Sequence, residues 1–377
     1  MTCDLLIIGG GINGCAIARE AALLGLRVVL VERDSLAAHT SSASSKLIHG
    51  GLRYLETYEF RLVREALVER ERMLATAPQL IRAMAFVLPH AHAVRPRWMV
   101  RAGLYLYDLL GLGSSLPRSH ALRRDDPRLA PLTAGSSGFL YWDAQVDDAA
   151  LVRTNAQDAA ANGAEICTGV AVTGAQRDAE RWTLALSDGR RVQARAIVNA
   201  AGPWVRALLD TLGVATTSGL RLIKGSHITV PALWQGDHAY ILQQPDRRVV
   251  FAAPWRGETM IGTTDVPVQH PGDAGIDADE IAYLCAAANR YFRQQITPAD
   301  MTGGWSGIRA LYDNGADEAR TVTRDYHLDL DTHAAPILSV FGGKITTARA
   351  LAEHALSRLA PELHFTARPV TRDRQLP

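Results

Sequence analysis

Short apolar runs alternate with stretches of helical period near both ends of the chain, while the middle reads mainly as strands. Residues 4–8 form a short apolar run, 12–24 an Ala-rich helical pattern, and 27–31 a second apolar run closed by Glu32. This predicts a strand–helix–strand unit of about thirty residues, the size a crossover between parallel strands requires. Residues 59–76 carry Leu62, Ala66, Leu67 and Leu74 near one helical face, and Pro78 stops that helix. Residues 79–143 are less regular and contain several prolines, with one apolar helix predicted over 98–110 behind Arg97 and Arg101. A helix over 147–162 begins at Asp147, a residue type whose side chain caps free N–H groups. Short strands are predicted around Glu165, over 182–186 and over 196–199, with Asp188-Gly189 as a hairpin turn.

Strands are then predicted over 220–230, 239–242, 249–253 and 259–262, followed by a helix over 277–292. Strands resume near Arg309 and over 321–325. An apolar strand over 336–341 runs into Gly342-Gly343, and a helix over 346–359 follows. No internal repeat or low-complexity segment interrupts this order.

Composition narrows the picture little, but it excludes some classes. A length of 377 residues suits two domains, or one large domain with an insertion. Apolar residues make up 47% and charged residues 21%, which is ordinary for a soluble globular protein. The net charge of +1 gives no global pull toward nucleic acid, so an anionic ligand must be met by a local basic cluster. Cys3, Cys15, Cys167 and Cys285 form neither a CxxC pair nor a zinc spacing, which fits a reducing cytosol. A strand begins almost at the first residue, so no signal peptide is expected, and no run of 18 apolar residues spans a membrane.

Chemistry concentrates in four places. Gly9-Gly10-Gly11-Ile12-Asn13-Gly14, with Glu32 beyond it, is a dinucleotide-binding fingerprint. Gly9 makes the tight turn, Gly11 lets a pyrophosphate approach the backbone, and Gly14 allows helix to pack on strand. Glu32 is placed to accept hydrogen bonds from ribose hydroxyls. The fingerprint alone does not separate NAD from FAD. A second small-residue turn, Asn199-Ala200-Ala201-Gly202-Pro203-Trp204, ends an apolar strand and could lie against the same dinucleotide. A third, Phe341-Gly342-Gly343-Lys344-Ile345-Thr346-Thr347, leads from strand to helix, with Lys344 placed to meet a phosphate or the edge of a flavin. Its spacing is not that of a P-loop. The fourth is the stretch Ser44 to Glu56, SSKLIHGGLRYLE. There Gly50-Gly51 permits close backbone approach, His49 can exchange protons near neutral pH, and Arg53 can grip a phosphate or carboxylate. His90-Ala91-His92 has no acidic or cysteine partner nearby and reads as a loop pair rather than a metal site. Ser41, Ser42, Ser44 and Ser45 lack a nucleophile elbow and suit phosphate or cofactor contacts.

The expected fold is therefore α/β. A Rossmann-like dinucleotide-binding domain is assembled from discontinuous segments (1–78, 144–215 and 335–362). A mostly antiparallel β-sheet substrate domain of α+β character is inserted as 79–143 and 216–334. Residues 363–377 look like the start of a further helical segment.

Taken in order, GGGINGCAIAREAALLGLRVVLVE, TSSASSKLIHGGLRYLE, VDDAALV, NAAGPWV, RLIKGSHI, IGTTD, WSGIR and FGGKITT resemble FAD-dependent glycerol-3-phosphate dehydrogenases of the D-amino-acid oxidase-like group. The resemblance covers nearly all of residues 1–360. It implies oxidation of sn-glycerol 3-phosphate to dihydroxyacetone phosphate, with electrons passing to FAD and then to quinone. It implies cofactor contacts from Gly9, Gly11, Ile12, Asn13, Gly14, Glu32, Arg33, Ser42, Ser44, Ser45, Lys46, Val170, Ala201, Gly202, Gly343, Lys344, Ile345 and Thr346. Arg53, Tyr54, Arg309, Arg324 and Lys344 would hold the substrate, and His49, Arg309 and Lys344 would be catalytic. His49 is the first choice for the base and Lys344 the alternative. Expected partners are the membrane surface, a quinone and a second copy in a homodimer, but not nucleic acid. The expected location is the cytoplasm, peripheral on the inner face of the membrane. An oxidase passing electrons to oxygen, and a shortened FAD-binding module with little turnover, are the alternatives. Two departures stand out: the helical C-terminal domain usual in the family is expected to be missing, and Ala310 follows Arg309 where the family tends to have proline.

Overall fold

The computed structural model describes residues 1–91, 95–133, 137–313 and 325–377. Among them lie helices α1 (Ile12–Leu23), α2 (Phe60–Thr76), α3 (Arg97–Leu110), α4 (Asp148–Ala161), α5 (Val205–Leu212), α6 (Ala278–Asn289) and α7 (Ala348–Leu363). None is long and apolar enough to cross a membrane.

Five parallel strands form the heart of the first sheet. Their order is Ile337–Phe341, Arg191–Asn199, Thr2–Ile8, Val28–Glu32 and Glu165–Thr168. Parallel neighbours need a crossover, which α1 supplies between the first two strands of the chain. The central stretches of these strands are buried on both faces, which is why residues 5–8, 28–31 and 196–198 are apolar runs. Helices α1, α4 and α7 cover one face, and α5 packs with Trp182 and Leu184 on the other. The Asp188-Gly189 turn joins Trp182–Leu186 to Arg191–Asn199, with Gly189 at φ +86° and the Asp188 carboxylate accepting from the Arg190 N–H at 3.1 Å. Asp147 caps α4 by accepting from the Ala150 N–H at 2.9 Å.

The second sheet is mostly antiparallel and runs from Val266–Val268 through Gly219–Pro231, Glu258–Gly262, Val249–Trp255 and Ala239–Gln243 to Ile81–Pro89, Gly138–Val146 and Leu47–Ile48. Gly303–Asp313 pairs along its whole length with residues 219–229 of that strand. One result differs from the sequence expectation. Residues 79–143, expected to be irregular, contribute Ile81–Pro89 and Gly138–Val146, which pair along their full nine-residue lengths. Apolar clusters lie on both faces of this sheet, so its strands lack the polar alternation that marks a half-exposed strand. The strand expected over 321–325 falls almost wholly outside the described residues.

Candidate active site

The two sheets approach one another across a cavity of about 840 Å³, within the range of small-molecule sites. One wall is built largely from backbone. After Ile8 the chain turns at Gly9, φ +117°, where any Cβ would stand 2.4 Å from the Ala200 oxygen. A Cβ on Gly14 would stand 1.9 Å from the Gly9 oxygen, so only glycine lets α1 lie this close to the strand end. Gly14 therefore serves packing and does not line the cavity. Gly11 precedes α1 in extended conformation with no side-chain cap of its own. The Ile12 N–H instead donates to the Ser41 hydroxyl at 2.9 Å. Glu32 is nearly buried, and its carboxylate accepts from the Gly10 and Asp34 N–H groups at 2.6 and 2.9 Å. That fixes the acid at the strand end while leaving lone pairs for a ligand.

Three more segments close this wall. Ala201 and Gly202 follow strand Arg191–Asn199, and Val170 donates its N–H to the Glu32 carbonyl at 2.9 Å. The Arg33 guanidinium lies 4.1 Å over the Trp204 ring. Gly342 and Gly343, φ +80° and +96°, bring the last strand into α7. Asn13 ties the first and last turns together, donating to the Gly342 carbonyl at 3.2 Å, while its Oδ1 is buried with no partner among the described residues. An orphaned side-chain acceptor beside a glycine-rich helix start and a strand-end acid fit a dinucleotide.

The other wall is made of side chains from distant segments. His49 lines the cavity and stacks on Phe251, centroids 6.0 Å apart. Gly51, φ +76°, is where the chain turns under the Tyr54 ring, and a Cβ there would stand 2.2 Å from it. Lys344 Nζ sits 4.2 Å over that ring, buried and with no hydrogen-bond partner among the described residues. Arg309, on strand Gly303–Asp313, pairs with Asp265 and donates to the Thr263 hydroxyl at 2.9 Å. Arg53 also lines this wall, as do Ser44, Ser45, Ile345 and Thr346. Arg324 lies outside the described residues, as does His92; His90 donates Nε2–H to the Arg95 carbonyl.

Besides Gly14, two expected cofactor contacts are placed elsewhere. Lys46 Nζ binds the Asp148 carboxylate at 2.8 and 2.9 Å, buried between Trp305 and Trp255, because a lone charge could not be buried there without its counter-ion. The Ser42 hydroxyl donates to the His39 carbonyl at 3.2 Å, outside the cavity lining. Asp148 is the hub the sequence did not reveal. It also accepts from the Ser44 hydroxyl at 2.6 Å, locking the serine loop to the start of α4. The adjacent Asp147-Asp148 pair reads as a cap, and nothing in its spacing marks the second aspartate as a buried anchor. His227 was overlooked too, although it stands in RLIKGSHI. Its ring is 2% exposed, stacks on Trp305 and meets the Ser45 hydroxyl at 2.8 Å. Burial pushes its pKa down to about 3, helped by the charges of Arg309 and Lys46, so the ring is neutral.

A strand-end glycine fingerprint, an acid on the neighbouring strand and a second sheet closing over the cavity define a dinucleotide-binding oxidoreductase of two-sheet type. The profile of the FAD dependent oxidoreductase family (DAO) matches residues 4–349, and the chain belongs to that family, with FAD as its cofactor. Among curated relatives, glycerol-3-phosphate dehydrogenase of Pseudomonas aeruginosa is 52% identical, over 95% of this chain and 72% of its own length. D-erythritol 1-phosphate dehydrogenase of Brucella abortus is 50% identical, over 95% of this chain and 74% of its own. The aerobic glycerol-3-phosphate dehydrogenase of Escherichia coli is 47% identical, over the whole of this chain and 77% of its own. The solved glycerol-3-phosphate dehydrogenase of Bacillus halodurans complexed with FAD superposes with a TM-score of 0.76 at 26% identity, covering 98% of this chain and 67% of that one.

Proposed function

We propose that this oxidoreductase converts sn-glycerol 3-phosphate to dihydroxyacetone phosphate and passes the electrons to a quinone. The observation that carries the reading is Lys344 Nζ, buried beside Tyr54 without a hydrogen-bond partner among the described residues, in the same cavity wall as Arg53, Arg309 and His49. An orphaned cationic group among arginines and a histidine suits an anionic substrate that must also lose a proton. The nucleotide domain would be the parallel sheet with its helices, and the substrate domain the second sheet.

When bound, FAD supplies the hydride acceptor. The chain's residues supply the rest. Arg309, held in line by Asp265 and Thr263, and Arg53 grip the phosphate. Tyr54 and Lys344 bound the carbon chain. His49 takes the hydroxyl proton as the carbon–hydrogen bond breaks, and a carbonyl is left behind; Lys344 could take His49's place only as the neutral amine, since the ammonium has no lone pair. Replacing His49 by Ala tests this: flavin reduction at the normal rate would remove His49 from the role.

Similar identity to relatives named for two polyol phosphates supports a second substrate, D-erythritol 1-phosphate. Both substrates carry a phosphomonoester on a chain of hydroxylated carbons, so the same clamp serves. Comparing kcat/KM for the two decides between them. The acceptor reading rests on family resemblance; membrane contact is supported by α3, which turns Val100, Leu104 and Tyr107 inward but leaves Trp98, Tyr105 and, just beyond it, Leu112 exposed by 70%, 62% and 65%. Such a stripe behind Arg97 and Arg101 suits the surface of an anionic bilayer. Flotation with liposomes tests the contact, and stoichiometric peroxide in place of quinol would replace the acceptor by oxygen.

A further inference from the structure

Beneath the His49 loop lies a buried polar chain that takes no part in the chemistry proposed above. Gly50 donates its N–H to the Tyr107 hydroxyl at 2.8 Å, and that hydroxyl lies 2.8 Å from both oxygens of Asp143. Asp143 accepts from Arg70 at 2.7 Å, and Arg70 continues to the Trp142 carbonyl, Glu71 and the Ser114 hydroxyl. Tyr107, Asp143 and Arg70 are 3%, 1% and 3% exposed. Burial, then the Asp143 charge, raises the phenol pKa well above its usual value. The phenol therefore keeps its proton, donates it to Asp143, and offers its lone pairs to Gly50. Burial pushes the Asp143 carboxyl up and Arg70 opposes it, while Arg70 itself stays charged with Asp143 beside it.

Gly50 has no room for a side chain, because a Cβ would stand 2.5 Å from Leu67 and 2.6 Å from the Tyr107 hydroxyl. The loop thus rests directly on Tyr107. The amide of Gly50 belongs to the peptide plane that leaves His49, so fixing its direction fixes how His49 projects toward the cavity. Phe251 limits the ring from the other side.

We propose that Tyr107, held by Asp143 and Arg70, is a positioning residue that aims His49 through the Gly50 N–H. The inference rests on His49 acting as the proton acceptor. It is distinct from a purely structural ion pair, because without the phenol oxygen Arg70–Asp143 persists, whereas the Gly50 N–H loses its 2.8 Å partner and keeps only the long 3.4 Å contact with Asp143 Oδ1. Tyr107→Phe removes that oxygen alone.

The test is a double-mutant cycle of Tyr107→Phe and His49→Ala, read by anaerobic flavin reduction with sn-glycerol 3-phosphate and by hydrogen exchange at the Gly50 amide. Tyr107→Phe should lower the limiting rate roughly tenfold to a hundredfold, the scale of a small misplacement of a reacting group, with the half-saturating substrate concentration within about twofold. The Gly50 amide should exchange faster, and Tyr107→Phe should cost nothing further once His49 is absent. An unchanged rate, or losses that multiply in the double variant, would overturn the positioning role while leaving His49 as the base. A normal rate for His49→Ala alone would remove the underlying reading and this inference with it. Should Tyr107→Phe fail to accumulate, the wild-type Gly50 amide decides: slow exchange supports the link, and exchange at the rate of an open loop refutes it.

Discussion

The two walls of the cavity are built in opposite ways. On the nucleotide side, positions are set by backbone: Gly9, Gly14, Gly342 and Gly343 occupy places where a side chain would collide or the dihedral would be strained. On the substrate side, positions are set by side chains whose own partners hold them, as Asp265 and Thr263 hold Arg309 and Asp148 holds Ser44. The first wall tolerates almost no change in shape. The second tolerates change in shape but not in charge or proton inventory. Substitutions on the two sides should therefore fail differently, one by losing the cofactor and the other by keeping it idle.

Gly14→Ala gives the largest effect. Its new methyl group would fall 1.9 Å from the Gly9 oxygen, so strand and helix must separate. We expect purified protein without bound flavin, or no folded protein, seen as absence of the visible flavin bands. Lys344→Met should keep those bands and lower the rate of substrate-driven bleaching roughly a hundredfold or more, the range for losing a proton-handling or charge-stabilising group. Flavin loss in Lys344→Met would blur the distinction between the walls. Arg309→Gln should mainly raise the substrate concentration needed, roughly tenfold to a hundredfold, as charge-assisted hydrogen bonds contribute about 1.5–3 kcal/mol each.

Legibility in the sequence follows the same division. Glycine spacing, an acid at a strand end and unbroken apolar runs carry the parallel sheet openly, because backbone constraints leave few residue choices. Ile81–Pro89 and Gly138–Val146 stayed hidden, since strands covered on both faces lose their period-two signal. Asp148, His227 and Asp265 were illegible for another reason. Each acquires its meaning from a partner far along the chain, Lys46, Ser45 and Arg309 respectively. Sequence neighbours say nothing about such pairings. His49, Arg53, Arg309 and Lys344 could be named because short motifs surround them, yet only the fold brings them to one cavity.

Acidity sharpens the comparison on a smaller scale. His227, in the side-chain wall, and His238, just before strand Ala239–Gln243, are held neutral with pKa values pushed down to about 3 and about 4, in each case mainly by burial. Their folded values lie below the unfolded one, so the unfolded chain binds more protons. Stability is then complete above about pH 6.5 and falls as pH drops through the window toward 4, by up to about 1.4 kcal/mol per pH unit for each ring. Urea unfolding between pH 7.5 and 5 should show this slope, and His227→Gln should roughly halve it. An unaltered slope in that variant would place the acid sensitivity elsewhere.

The most direct measurement is anaerobic titration of the purified, flavin-containing protein with sn-glycerol 3-phosphate. The account predicts full bleaching of the oxidised flavin bands, with one dihydroxyacetone phosphate formed for each flavin reduced. A flavin that remains oxidised under saturating substrate, in protein that dithionite still bleaches, would contradict it.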